Sequence, residues 1–215
     1  MSLETAPTEY IEAAGVRFAY RRLGPREGTP LVFLQHFTGT IESWDPAAVN
    51  GLAENRPVIV FDYTGVGTSS GKTPDNVAQM AADAERFIAA LGCVQVRPCA
   101  KNDPGRHRPQ GGEEHLLKVV EEAFSHQEAP DVRLPLFFTS SEASQAAGRA
   151  FLKRASVRTV ERDPESGQAV SDPQAKALID WGAFKDPEHS LLKVQYGELE
   201  TILPIECSDK SLISM

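Results

Sequence analysis

Hydrophobic positions in the first part of the chain fall into short extended runs and longer helical stripes. Residues 10–15 and 16–23 are two short runs around a glycine, and the second alternates apolar with basic side chains, as a half-exposed antiparallel strand does. Residues 31–34 and 57–62 are nearly continuous apolar runs, which is typical of central strands buried on both faces. This pattern predicts four strands within the first 62 residues.

The pattern also predicts one helix after each of the last two strands. Residues 43–54 offer Asp45 as an N-cap and Pro46 as the first helical residue. Further on, Thr73 or Asp75 can cap a helix whose apolar side chains recur every three or four positions until Gly92 ends it. Strands and helices that alternate in this way predict a mostly parallel sheet with crossover helices.

The pattern changes after Gly92. Residues 93–110 contain three prolines and four Lys or Arg against the single Asp103, with little to bury, so we expect an irregular loop there. Helical patterns return over residues 113–124, after a capping box at residues 139–142, and from Asp172-Pro173 onward. Residues 191–196 predict one more strand.

Composition and charge limit the function. A chain of 215 residues with 41% hydrophobic content suits one globular domain, and its net charge of −8 disfavours nucleic acid and anionic membrane surfaces as partners. No signal peptide or membrane-length apolar run occurs, and three cysteines do not suggest a disulfide framework, so we expect a cytoplasmic protein. Cys93, Cys99 and His107 lack the spacing of a zinc site, and we expect no metal or cofactor.

Three blocks together resemble the α/β-hydrolase family, in its esterase- and haloperoxidase-like branch. They are LVFLQHFTG at residues 31–39 followed by SWD at residues 43–45, VIVFDYTGVGTS at residues 58–69, and GELE at residues 197–200 with Pro204. The resemblance implies an α/β fold, here an incomplete α/β-hydrolase fold with a mostly parallel sheet, crossover helices and a helical lid. It assigns residues 1–110 to the N-terminal part of the core, residues 111–187 to the lid (or cap), and residues 188–215 to a C-terminal remnant of the core with the acid strand.

The resemblance also implies roles for individual residues. His36, Phe37 and Thr38 correspond to the oxyanion loop, with Phe37 and Thr38 offering backbone donors, and Glu200 stands at the position of the triad acid. Ser69 lies in a literal G-x-S-x-G pattern, residues 67–71, but a nucleophile elbow needs strand, serine and helix in immediate succession. We therefore interpret Ser69 as a turn serine rather than as the nucleophile.

The segment that should hold the nucleophile is short and contains no serine. In the family, a strand, the elbow, a helix and a further strand would lie between Gly92 and Gly111, and such a unit needs about 30 residues. We expect a deletion, a splicing difference or a shifted reading frame there, which a search of the genomic DNA between codons 92 and 111 for a G-x-S-x-G run would test. The family's base should follow the acid, yet all five histidines precede Glu200.

Three functions are compatible with these observations. The first is a hydrolase that cleaves a small ester- or amide-type substrate by Ser-His-acid chemistry, with this chain catalytically impaired. The second is an inactive, non-enzymatic variant of such a hydrolase that keeps a lidded pocket. The third is a phosphate- or dinucleotide-binding module that uses Gly65 and Gly67, although Ser70 stands where G-x-G-x-x-G needs glycine.

Overall fold

The computed structural model describes residues 1–93, 97–100 and 133–182, and its strands form one mixed sheet. Its spatial order is β1-β2-β4-β3-β5. β1 and β2 form an antiparallel hairpin and β2 pairs antiparallel with β4, whereas β3 lies parallel to both β4 and β5. The strands are β1 (Glu9–Ala13), β2 (Val16–Leu23), β3 (Leu31–Leu34), β4 (Val58–Phe61) and β5 (Arg97–Ala100).

Two described helices belong to the sheet region and three to the later part of the chain. α1 (Pro46–Ala53) begins after Asp45, which caps it as predicted, and a short 3-10 helix (Ile41–Ser43) precedes it. α2 (Val77–Ala90) follows β4 and precedes β5 in the chain. The others are α3 (Arg133–Phe137), α4 (Glu142–Ala155) and α5 (Gln168–Gly182), which all fall in the segment predicted as the lid; the three domain boundaries themselves stay predictions.

The predicted central strands are confirmed. All four residues of β4 are buried, and β3 lies between β4 and β5, so the middle of the sheet is parallel as the continuous apolar runs indicated. On one face, Phe61 stacks on Phe87 of α2 with ring centroids 4.2 Å apart. On the other, Phe33 meets Trp44 edge to face at 4.6 Å. Each such aromatic pair contributes roughly 0.5–1.5 kcal/mol beyond its buried area.

The expectation of an irregular loop over residues 93–110 is wrong for residues 97–100, which form β5. Arg97–Ala100 pairs in parallel with β3, with Val32 opposite Pro98. Proline and arginine gave no strand signal, but a parallel ladder is formed by backbone groups and tolerates proline at a sheet edge. Among the described residues no strand pairs with the other side of β5.

Three helix starts also differ from the predictions. The cap of α2 is Asn76, whose side chain accepts from the Gln79 N–H at 2.8 Å, rather than Thr73 or Asp75. α4 starts after Ser141 and not after a capping box at residues 139–142. α5 begins at Gln168, five residues before Pro173, because the burial of Val170 and the carbonyl of Gly167 hold an extra first turn.

β2 is more buried than its alternating pattern predicted. Arg21 has no exposed surface, and its guanidinium pairs with Glu42 at 2.5 Å. Arg158 and Arg162, from the segment after α4, lie 3.8 and 3.7 Å from the same carboxylate. We call these four residues the Glu42 cluster. It joins β2, the 3-10 helix and the lid segment, and it is why a basic strand position can be buried.

Removing the charge of Glu42 should destabilise the fold strongly. Glu42→Gln leaves the buried Arg21 without its anion and leaves Arg158 with only the exposed Glu161, and breaking a buried ion pair costs about 3 kcal/mol or more. Urea denaturation measures the free energy of unfolding. The exposed Glu54→Gln is the matched control, and an equal effect of the two substitutions would contradict this role of Glu42.

Candidate functional site

The candidate site lies where β3 and β4 end. In a parallel sheet, the loops after the carboxyl ends of neighbouring strands meet at one edge, where α/β proteins bind their ligands. Residues 35–40 follow β3, and residues 62–73 follow β4. The turn after β5, where the resemblance places the nucleophile, lies outside the described residues. Glu200 lies outside them too, as do His107, His115, His126 and His189.

Gln35 anchors the loop after β3. Its side-chain nitrogen donates to the carbonyl of Phe61 at 2.8 Å, and its side-chain oxygen accepts from the Trp44 indole N–H at 2.8 Å. Nearby, burial raises the pKa of Tyr63 to about 12, so its phenol stays protonated at physiological pH. Because the buried amide of Gln35 uses both ends of its polar group, it fixes the start of the loop relative to β4.

Thr38 presents a backbone donor at the position that the sequence predicts for the oxyanion loop. Its φ of +56° is rare for a residue with a branched side chain. His36 Nδ1 and the Thr38 hydroxyl both contact the carbonyl oxygen of Phe37, at 2.8 and 2.7 Å. The Thr38 N–H donates to Oε1 of Gln174, on α5, at 2.6 Å. A backbone donor of the predicted oxyanion loop thus meets a neutral carbonyl oxygen supplied by α5.

Asp62 is the hub of the loop after β4. Its carboxylate accepts from the Ile41 N–H at 2.9 Å and from the Thr68 N–H, while its own N–H continues the pairing with β2 by donating to Ala19 O at 3.0 Å. The family motif identified this aspartate by position, but not these contacts. Asp62 therefore holds the loop after β3, its own loop and β2 together.

A second buried carboxyl, Asp163, meets Asp62 from the lid segment. Oδ2 of each side chain is buried without a partner elsewhere, and a Cβ at Gly67 would strike both carboxyls, so only glycine fits beside them. Burial first, and then Asp163, raise the pKa of Asp62 well above its usual value. Burial also raises the pKa of Asp163. The hydrogen bond that the Thr68 hydroxyl donates to Asp163 lowers this pKa, the charge of Glu42 raises it, and the charge of Arg21 lowers it. The pair is therefore best stabilised with one shared proton.

Ser69 is built into the turn. Its hydroxyl donates to the carbonyl of Asp62 and accepts from the Ala19 N–H, both at 2.9 Å, and the side chain is buried. Ser70 beside it accepts from the Arg17 N–H at 2.8 Å. The two serines thus bind the loop to β2 through hydrogen bonds. Ser69 therefore has the geometry of a structural turn serine. The sequence contained no signal for the partners Asp163 and Gln174, because both lie about 100 or more positions further along the chain.

The glycine-rich loop after β4, residues 62–73, uses several backbone N–H groups for hydrogen bonds within the loop itself. The N–H groups of Gly65, Val66 and Ser69 donate to the carbonyls of Ser70, Tyr63 and Val66 at 2.9–3.0 Å. A phosphate-binding loop needs such groups to face the ligand, with a helix starting directly behind it. Here α2 starts at Val77, ten residues after Gly67, so the structure offers no support for the phosphate-binding alternative.

Other features of the described residues lie away from this edge. A cavity of about 440 Å³ opens at the amino ends of β3 and β4, lined by Arg22, Arg26 and Cys93 among others. No described helix has the length and apolar content to cross a membrane. Nor do the described residues contain a group of three or more metal-ligating side chains.

Stability should fall as pH rises through the folded-state pKa values of the Asp62–Asp163 pair. Both values are raised, so the folded protein holds a proton that the unfolded chain releases, and the stabilisation present at low pH is lost as pH rises through the raised pKa values. Asp163→Asn replaces the repulsion with an amide donor but leaves Asp62 buried, so it should make that fall smaller. Urea midpoints between about pH 5 and about pH 8 measure it. Exposed Glu165→Gln is the control, and an unchanged slope in Asp163→Asn would refute the shared proton.

Ser69→Ala should act on stability. It leaves the buried Ala19 N–H without an acceptor and removes the donor to Asp62, which costs about 1–3 kcal/mol. Thermal or urea unfolding measures the change. The exposed Ser140→Ala should stay within about 0.5 kcal/mol of the parent, and a Ser69→Ala variant equally close to the parent would contradict the structural role.

Comparisons with known proteins agree with this geometry. No protein-family model and no curated protein sequence matches the chain. Among solved structures, an α/β-hydrolase fold protein from Chitinophaga pinensis is 38% identical with a TM-score of 0.75, over 85% of this chain and 74% of that one. The enol-lactonase from Burkholderia xenovorans LB400 is 18% identical with a TM-score of 0.55, over 80% and 73%, and shares the fold. The strand order, the loop motifs and the 38% identity together show that this chain belongs to the α/β-hydrolase fold family.

Proposed function

We propose that this chain is a hydrolase-fold protein whose site receives the carbonyl group of a small ester or amide, and that the chain is impaired in turnover. The observation that carries the proposal is the Thr38 N–H, which already donates to a carboxamide oxygen at 2.6 Å. In acyl-transfer enzymes a backbone donor at this place stabilises the oxygen that becomes negative, and each such donor contributes about 3 kcal/mol. The proposed partner is accordingly a small neutral carbonyl compound in the cytoplasm.

The impairment is proposed from the nucleophile. Family chemistry needs a serine on the turn after the strand that corresponds to β5, where its oxygen attacks the carbonyl carbon and its proton goes to a histidine. Here Ala100 is followed by Lys101-Asn102-Asp103, and residues 93–110 contain no serine. Ser69 cannot replace it without giving up two hydrogen bonds that hold β2 to the loop. Glu200 remains the proposed acid position.

The non-enzymatic alternative differs only in what happens after binding. A protein that retains the donor and the lid but lacks the nucleophile would bind carbonyl compounds without cleaving them. The buried Gln35 and Asp62 contacts favour a preserved binding edge, because they order the loop whether or not chemistry follows.

Hydrolysis of a chromogenic short-chain ester, p-nitrophenyl acetate, tests the proposal. We expect a rate close to that of the uncatalysed reaction, and equal rates for the parent chain and Ser69→Ala. Ser140→Ala is the control for handling and folding. Because family catalysis exceeds background by several powers of ten, even weak activity would be visible as saturation with substrate.

Two results would change the conclusion. Saturable turnover that Ser69→Ala abolishes, in a variant that still unfolds cooperatively, would make Ser69 the nucleophile and overturn its role as a turn serine. Saturable turnover unaffected by Ser69→Ala would show an active enzyme with another nucleophile, and the proposed impairment would then be wrong.

A further inference from the structure

Gln174 is a polar residue in the middle of the apolar face of α5. Val170, Gln174 and Ala177 follow one another at helical spacing, and each is buried, with Gln174 only 5% exposed. A buried carboxamide costs free energy unless its groups are hydrogen-bonded. Its oxygen is satisfied by a residue 136 positions earlier in the chain, the Thr38 N–H. The face of α5 therefore brings one carbonyl group to the oxyanion loop.

The contact reproduces the chemistry expected of a substrate. A glutamine side chain ends in a planar, neutral amide, and its oxygen accepts a hydrogen bond as an ester or amide carbonyl does. The positive φ of Thr38 is a conformation that the surrounding structure must maintain, so the donor is preset before any ligand arrives. The donor and the oxygen are 2.6 Å apart, which is short for a hydrogen bond from nitrogen.

We propose that Gln174 is an internal carbonyl ligand that occupies the oxyanion position, so that an external neutral carbonyl compound binds at Thr38 only by displacing it. The inference rests on the proposed function of the Thr38 donor and adds a residue that sets ligand access and specificity. A ligand must match the amide oxygen of Gln174 as an acceptor, which selects esters and amides over hydrocarbons of the same size.

Displacement needs a side-chain rotation and no movement of the helix. α5 is held by the burial of Val170 and Ala177, with an exposed ion pair between Lys176 and Asp75 at 3.1 Å adding little. Glutamine has several rotatable bonds, and rotation gives up one hydrogen bond. The net contribution of such a bond corresponds to a change in ligand affinity of about tenfold at most.

Amide NMR of the full chain, with titration of N-methylacetamide, tests the proposal. Gln174→Leu places an apolar side chain on a buried face and removes the acceptor, so the Thr38 amide should exchange faster with solvent and N-methylacetamide should bind there about three- to tenfold more tightly. Gln174→Glu keeps an acceptor oxygen and should retain the slow exchange. The exposed Gln168→Leu, on the same helix, is the matched control and should behave as the parent.

The outcomes separate the two proposals. Slow Thr38 exchange in Gln174→Leu, or equal affinity at Thr38 in Gln174→Leu and in the parent, overturns the role of Gln174 while leaving the carbonyl site in place. Titration shifts that reach Thr38 in neither protein overturn the proposed carbonyl site itself. Tighter binding in Gln174→Leu alone, with exchange restored to the slow rate in Gln174→Glu, supports the internal ligand.

Discussion

Asp62, at the end of β4, connects β2, the 3-10 helix and the glycine-rich loop after β4. Its backbone N–H extends the ladder to β2, its carbonyl accepts from Ser69, and its carboxylate orders the 3-10 helix and the glycine loop. A buried carboxyl with several fixed donors has few alternative arrangements, so it specifies one loop conformation as well as stabilising it. The loop that carries Thr38 and the loop that carries Ser69 therefore share one support.

The segment that holds α4 and α5 contacts the sheet region through polar groups. Arg158 and Arg162 meet Glu42, Asp163 meets Asp62, and Gln174 meets Thr38. Such contacts require matched partners, because burying a polar group without a partner costs free energy. Apolar packing is less directional and fixes the relative position of two segments less strictly. The segment that holds α4 and α5 is thus positioned by complementary polar contacts, two of which reach the candidate site at Asp62 and Thr38.

Scaffold and chemistry are separable in this chain. The sheet order is that of an α/β-hydrolase fold, and β5 pairs in parallel with β3 at the edge of the described sheet. The sequence after β5 continues with lysine, asparagine and aspartate, and the proposed loss of the nucleophile rests on that sequence. A fold can persist through such a change because strand pairing uses backbone groups, whereas nucleophilic catalysis depends on one side chain in one place.

Periodicity and motifs were enough to predict β1 to β4 and the two helices beside them, because long apolar runs, caps and glycine turns are local signals. They missed β5, whose proline and arginine carry no strand propensity, and they placed the start of α5 at Pro173. They also predicted a half-exposed β2, whereas Arg21 is buried by Glu42. The contacts of Asp62 with Asp163 and of Gln174 with Thr38 join residues about 100 or more positions apart. Such pairs leave no mark in local sequence, since neither partner has an unusual neighbourhood until the chain has folded and excluded water from both.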